Sequence, residues 1–393
     1  MNFDLPESAA GIRASILDFA KKELQTDMIR RDEVGEFWRE GWNKCAEFGI
    51  LGLPVPGEYG GSGSDLTTTI AAMEALGYGC PDLGLNFAIN AHLWTNAIPI
   101  LKFGTEAQKR KYLPKLCSGE WIGANGASEP EFGSDVFSMK TRAERRGDVY
   151  VVNGQKTFVS NAPICDVIVA YAATAPGMGH MGITGFIVER NTPGLTVGNP
   201  IHKMGLRTSP MAELFFENCE IPVENVLGRE GGGAACFSCS MEWERGCILA
   251  MHLGRMQHQL EKAIDYARAR KQYGNPIGKY QSVANRIVDM KVRLEAARAL
   301  VYKIGWKKDK GEDATLEAAI AKLYLGEACV DSSLDAIQVF GGYGYMTEFE
   351  LERDLRDAVG ARIYSGTIEI QRNIIARMIG LPPSTTPPPP PRK

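Results

Sequence analysis

Two stretches of the chain carry side chains able to do chemistry. The first is SMEWERGCILAMHLGRMQ, Ser240 to Gln257, in which Glu244 stands beside Arg245. A lone Glu next to an Arg on a helix is ordinarily a solvated surface charge. Met241, Trp243, Cys247 and Ile248 flank this one and predict an apolar setting instead. Burial there raises a carboxylate's pKa and makes it a stronger base. The second stretch is NGASEPEFGSD, Asn125 to Asp135. Backbone amides near Gly133 and Ser134 can approach an anionic group closely, and the hydroxyls of Ser128 and Ser134 can orient a ring or a carbonyl. Taken alone, this segment is also an ordinary loop.

Other candidates lose to plainer readings. The five histidines, His92, His180, His202, His252 and His258, form no HxxxH or HxH pair, so no metal site is expected. Nine cysteines scattered through a long chain read as reduced, buried thiols and not as a disulfide framework. Cys236 and Cys239 make a CxxC, but no second pair stands at zinc-ribbon spacing and the segment reads as helix. GMGHMG, Gly177 to Gly182, matches the dinucleotide fingerprint by letter. A strand follows those glycines where the fingerprint needs a helix, which predicts a hairpin loop.

The elements that must position these groups fall into three blocks. Residues 1–118 read as helices joined by turns, with helical spacing in GIRASILDFAKKELQ and FWREGWNKCAEFGI. A glycine-dense loop, Pro56 to Leu66, then offers Ser64 or Asp65 as cap for the run LTTTIAAMEALGYG. Between Asp148 and Pro222, five short segments rich in Val, Ile, Phe and Thr predict an antiparallel sheet or barrel in a central block, 119–230. No strand–helix alternation supports a doubly wound fold. From 231 to 380 the helical period returns, through Ala234 to Arg270, Tyr280 to Lys308, Leu316 to Phe340 and Thr367 to Met378, and four such helices predict an antiparallel bundle. Residues 381–393, LPPSTTPPPPPRK, read as a proline-rich tail that cannot join a packed helix.

A chain of 393 residues implies two or three domains, and 44% hydrophobic with 23% charged residues is an ordinary globular balance. A net charge of -3 argues against nucleic acid as the main partner. No basic head precedes an apolar run at the N-terminus, and no segment reaches the roughly 18 to 20 apolar residues that span a bilayer. The expectation is a soluble, cytoplasmic protein.

Several segments, in order, resemble those of the FAD-dependent acyl-CoA dehydrogenases over nearly the whole chain. NGASEPEFGSD is similar to the family's TEPxxGSD segment, NGQKTFVSN to NGxKxWIT, and RKQYGNPIGKYQ to RxxFGxxIxxxQ. KMGLRTSPMAELFFENCEIPVENVLG, QVFGGYGY and SGTIEIQRNIIAR complete the pattern. The resemblance implies a mainly α fold with a central β domain, between an N-terminal helical domain and a C-terminal four-helix bundle. It implies that Asn125, Ala127, Ser128, Gly133 and Ser134 contact FAD, and that Phe158 and Ser160 lie against its ring. Arg270, Gln272, Gln338 and Gly342 would reach the FAD of a neighbouring subunit in a dimer or tetramer, with Gln281 of the same segment also at the cofactor. Thr367 and Glu369 would hold it from the C-terminal segment; glutamine is common at the latter position.

The loop RIYSGT departs from the family. Where a catalytic Glu is commonest stands Ser365, and a lone hydroxyl is too weak a base to take a carbon-bound proton. Glu244 falls where the isovaleryl-CoA dehydrogenase branch carries its base. The implied reaction is α,β-desaturation of an acyl thioester, with Glu244 as base. Ser134, Arg245, Tyr364, Ser365 and Gly366 would line the substrate pocket, and the amide of Ser365 or Gly366 would serve the carbonyl. MEWERGC together with RIYSGT is most similar to dehydrogenases of prolyl groups on peptidyl carrier proteins in natural-product biosynthesis. The alternatives are a short or branched acyl-CoA substrate, and a redox-inactive homologue kept for binding or assembly. An electron acceptor, either a flavoprotein or oxygen, is implied as a further partner.

Overall fold

The computed structural model describes residues 5–381. Apart from Leu381, the proline-rich tail lies outside the described residues. The N-terminal block is helical: α1 (Glu7–Glu23), α2 (Met28–Val34), α3 (Arg39–Glu47), α4 (Leu66–Gly79), α5 (Leu83–His92), α6 (Ile98–Phe103) and α7 (Glu106–Cys117). Asp65 caps α4 by accepting from the Thr68 amide at 2.7 Å, which decides between the two caps expected from the sequence. Every residue of α4 from Leu66 to Gly77 is buried, Glu74 included, whose carboxylate accepts from Arg298 and Tyr302. The helix packs against α1 on one side and against helices of the C-terminal block on the other. Gly77 and Gly254 make the second contact possible: a Cβ on either would come within 2.0 Å of a carbonyl oxygen of the facing helix, that of Met251 or Glu74. Between α5 and α6 the helix widens into one π turn, Leu93–Ala97.

The middle block is an eight-stranded sheet. Its strands are β1 (Gly123–Gly126), β2 (Arg142–Arg146), β3 (Val149–Ser160), β4 (Val167–Ala173), β5 (Ile183–Glu189), β6 (Leu195–Val197), β7 (Met211–Pro222) and β8 (Val226–Leu227). The order is β6-β7-β3-β2-β4-β5-β8, with β1 also paired to β4. The five predicted segments are β3 to β7. Where these five are neighbours they pair antiparallel, as expected; β1 and β2, which were not foreseen, both run parallel to β4. Neither offered a warning: GANG holds no β-branched or aromatic residue, and RAERR is almost wholly charged. GMGHMG lies in the connection between the antiparallel partners β4 and β5, as a hairpin loop.

The C-terminal block contains α8 (Gly233–Cys247), α9 (Ala250–Ala269), the short strand pair β9 (Lys271–Gln272) and β10 (Asn275–Pro276), α10 (Gln281–Asp309), α11 (Thr315–Phe340), α12 (Leu351–Gly360) and α13 (Ile368–Met378). The single helix expected over Ala234 to Arg270 is two. At Leu249 the ladder tightens, with the His252 amide donating to the Leu249 carbonyl at 3.0 Å. Residues Cys247 to Met251 are completely buried there, so packing rather than helical period sets the direction of the chain. Helix α12 was not expected at all, although Leu351, Leu355 and Ala358 recur at helical spacing. One apolar core runs through the helices of both blocks, and a second lies between the sheet and α6–α8.

Candidate active site

Glu244 sits near the end of α8, which packs against α11, β5 and the π turn. Two residues earlier, Glu242 pairs with Lys308. Glu244 has no such partner: it is 7% exposed and close to no cation in hydrogen-bonding contact among the described residues. Its Oε1 accepts the Ser365 hydroxyl at 2.7 Å, while Oε2 is buried without a partner among the described residues. Burial pushes the carboxyl above the usual range, against the pull of the Ser365 hydrogen bond and of Arg245 and Lys322. The burial expected from the sequence is thus what the structure gives this carboxylate.

The loop that brings Ser365 to Glu244 is pinned at several points. Arg245 Nε donates to the Ser365 carbonyl at 3.1 Å, and Gln371 Nε2 donates to the Gly366 carbonyl at 2.9 Å. Thr367 caps α13 by accepting from the Ile370 amide at 3.3 Å. Ser365 and Gly366 both have positive φ, 57° and 85°, so the chain turns sharply here. Among the described residues, the amides of Ser365 and Gly366 donate to no protein acceptor. Two unspent donors beside a buried carboxylate suit a carbonyl oxygen on which charge develops. Tyr364 is hydrogen-bonded to His252 Nε2 at 2.6 Å and packs on Phe87, with ring centroids 4.9 Å apart. Burial pushes His252 down to about 4, so it is neutral near pH 7. The structure therefore brings Glu244, Arg245, Tyr364, Ser365 and Gly366 into one cluster.

The loop after β1 forms a second cluster. Glu129, buried, accepts from the amides of Lys140 at 2.6 Å and Thr141 at 2.9 Å and from Lys156 Nζ at 2.8 Å. Lys156 also donates to the Ala127 carbonyl at 3.3 Å, and the Thr157 amide donates to the Ser128 carbonyl at 2.9 Å. These bonds tie the loop to β3, on which Phe158 and Ser160 stand. Phe158 is 64% exposed and has φ 54°, a strained backbone that presents an open aromatic face. Gly133 and Ser134 are exposed, and a Cβ at Gly133 would meet nothing within 4 Å. This arrangement fits a flat ring with an anionic tail.

The π turn joins the two clusters. Asn125 Nδ2 donates to the Thr95 carbonyl at 2.8 Å, and Ser240 Oγ on α8 donates to the Trp94 carbonyl at 3.1 Å. A widened turn frees such carbonyls for outside donors. His92, just before it, is kept neutral by burial, which lowers it to about 4; its Nδ1 accepts from the Gly123 amide at 2.9 Å.

The remaining expected residues lie elsewhere. Arg270, Gln272, Gln281, Gln338 and Gly342 are all exposed, around the β9–β10 pair and the end of α11. Arg270 stacks over Tyr343 at 5.8 Å. Among the described residues no hydrogen bond ties this group to either cluster. Glu369 is exposed in the first turn of α13. Sequence reading missed Lys322, Gln371 and the Tyr364–His252 pair. Lys322 is fully buried on α11, donates to the Ala361 carbonyl and lies 5.5 Å from the Tyr364 ring. Burial pushes it down to about 8. A lysine inside the apolar run AAIAKLYLGEA was the available signal. Among the described residues no group of acidic, His and Cys side chains could hold a metal, and no helix is long and apolar enough to cross a membrane.

Comparison with known proteins gives three family matches: acyl-CoA dehydrogenase N-terminal domain over residues 6–120, middle domain over 124–219 and C-terminal domain over 231–380. The chain is 47% identical to an L-prolyl-[peptidyl-carrier protein] dehydrogenase of Pseudomonas fluorescens, covering 88% of this chain and 91% of that one. Among solved structures it is similar to the prolyl acyl carrier protein oxidase AnaB, with TM-score 0.95 and 49% identity over 96% of this chain and 100% of that one. It is also similar to PigA with FAD and proline, with TM-score 0.95 and 42% identity over 97% of this chain and 100% of PigA.

Proposed function

The chain belongs to the acyl-CoA dehydrogenase family, and from that premise we propose that it is an FAD-dependent enzyme desaturating a prolyl-type aminoacyl thioester on a peptidyl carrier protein. One observation carries the reading: a buried Glu244 with one oxygen held and the other unpartnered, beside two unspent loop amides. The amides of Ser365 and Gly366 take the thioester carbonyl, which makes the α-hydrogen acidic, and Glu244 takes that proton. FAD, when bound, supplies the two-electron acceptor for the β-hydrogen as hydride.

Asn125, Ala127, Ser128, Gly133 and Ser134 hold the cofactor's anionic and polar parts, and the open face of Phe158, with Ser160, receives its ring. Thr367 and Glu369 support it from the C-terminal segment. Arg270, Gln272, Gln338 and Gly342, all exposed, serve the cofactor of a neighbouring subunit in a dimer or tetramer, with Gln281 also at the cofactor. The nine cysteines are all unpaired, in keeping with a reducing compartment, and our reading is the cytoplasm. The choice of carrier over CoA rests on likeness to the prolyl-carrier-protein dehydrogenase and oxidase named above.

The test is a panel of prolyl-loaded carrier protein, unloaded carrier protein and acyl-CoAs, with flavin bleaching followed anaerobically. Bleaching by the prolyl carrier alone is expected. Efficient reduction by isovaleryl-CoA would replace the carrier reading with a branched-chain one. A colourless protein that takes up no added FAD would end the enzyme reading altogether.

A further inference from the structure

The contact of Ser365 with Glu244 bridges 121 residues of sequence. We propose that Ser365 is a positioning residue for the base: its hydroxyl fixes Oε1 of Glu244 and leaves Oε2 as the oxygen that takes the proton. The role as base rests on the desaturation reading above; the pairing itself does not.

The geometry constrains both ends of the serine. An ionised carboxylate has no proton to give, so in the 2.7 Å contact the serine donates. Its carbonyl is held by Arg245 Nε at 3.1 Å. Arg245 is the next residue after the base, so one turn of α8 grips the serine by its hydroxyl and by its carbonyl. This grip is what keeps a non-glycine residue at φ 57°, a conformation that costs about 1 kcal/mol or more unless its surroundings enforce it. Glycine would suit that backbone better, as Gly366 does at the next position, so the backbone does not account for a serine there. The hydroxyl does. A carboxylate at the same place would stand against Glu244, and two such groups share one proton instead of leaving a free base.

The other charged or titratable groups around Glu244 act from farther off. They are Arg245 on its own helix, Lys322 from α11, Tyr364 from the loop and Tyr171 from β4. Among the described residues, Ser365 makes the sole hydrogen bond to the carboxylate. Burial drives the carboxyl up and the serine bond is the largest influence pulling it back, so the hydroxyl favours the ionised form that can act as a base.

Two variants of the FAD-loaded protein test this, Ser365→Ala and Ser365→Gly, the second of which also relaxes the backbone. The Glu244 carboxyl is titrated without substrate by infrared difference against Glu244→Gln. The acidic limb of anaerobic flavin reduction is measured in parallel. Both variants are expected to move both midpoints up by about one pH unit, the order expected for a hydrogen bond to a charged group, with the rate recovering at high pH. Unchanged midpoints in both variants overturn the proposal. So does a shift in the alanine variant that the glycine variant lacks, since strain would then be its source. A shifted carboxyl titration in a protein whose wild type reduces its flavin with no thioester would uphold the pairing and reject the desaturation.

Discussion

Two buried glutamates, Glu129 in the loop after β1 and Glu244 near the end of α8, show how the same side chain is either tied down or left open. Glu129 is paired with Lys156 and accepts two backbone amides. Burial alone would push its carboxyl up, but the Lys156 ammonium and these donors outweigh it and hold the group below the usual range. Glu244 has one neutral donor and one oxygen with no partner, and burial prevails. The first carboxylate is finished, and its task is to fasten the loop before β2 onto β3. The second is unfinished, which is the condition for accepting a proton. On the proposed reading, the base is distinguished by the partner it lacks.

The comparison breaks most visibly on the structural side. Glu129→Gln leaves the Lys156 ammonium buried without its counterion, and we expect a loss of roughly 3–5 kcal/mol in stability, as for removing one partner of a buried pair. FAD affinity should fall with it, because the Asn125 to Asp135 loop loses its anchor. Thermal melts of the apoprotein and FAD titration check both. A variant as stable as wild type would mean that the pair is not what fastens the loop.

Glu244→Gln is expected to do the opposite and stabilise the fold at neutral pH, by roughly 0.5–2 kcal/mol, as relief of a functional strain commonly does. The sign follows from the raised carboxyl. The folded chain binds that proton more tightly than the unfolded chain, so the carboxyl's contribution is whole below the unfolded glutamate range and is lost as pH rises through the folded value. The variant's advantage should therefore be largest near pH 8 and vanish towards pH 4. Glu129 slopes the other way: its contribution is present above the unfolded range and lost as pH falls through the lowered folded value. Melting curves of the two glutamine variants across that range should diverge from wild type in opposite directions at high pH. The smallest effect is expected from Tyr364→Phe, which removes only the bond to His252, at about 1 kcal/mol of stability with Glu244 titrating as before.

Much of this was legible in the residues, and the gaps have physical causes. Helices α10 and α11 were foreseen to within a residue because long amphipathic runs leave little choice, and β3 to β7 because branched and aromatic residues cluster there. The burial of Glu244 could be read from Met241, Trp243, Cys247 and Ile248, all close in sequence. The bond to Ser365 could not, since it is made by segments whose meeting depends on the whole C-terminal block. From sequence, Ser365 is a residue that merely lines a pocket. Lys322 was missed because a lone lysine in an apolar run reads as a solvated exception. The π turn was missed because Leu93–Ala97 has no sequence signal that separates it from an ordinary helix, yet it joins the two halves of the site. The Arg270 and Gln338 group could be placed only by resemblance, as its proposed ligand belongs to another subunit.

The central claim, that the unpartnered oxygen of Glu244 takes the α-proton, is tested most directly by anaerobic single-turnover reduction of the FAD-loaded Glu244→Gln variant with prolyl-loaded carrier protein. Glutamine keeps the size and the hydrogen bonding but cannot accept the proton. Flavin should bind as in wild type while its reduction slows by roughly 10² to 10⁴, the range of general-base catalysis. Reduction at the wild-type rate, with flavin fully bound, would contradict the account and place the base elsewhere.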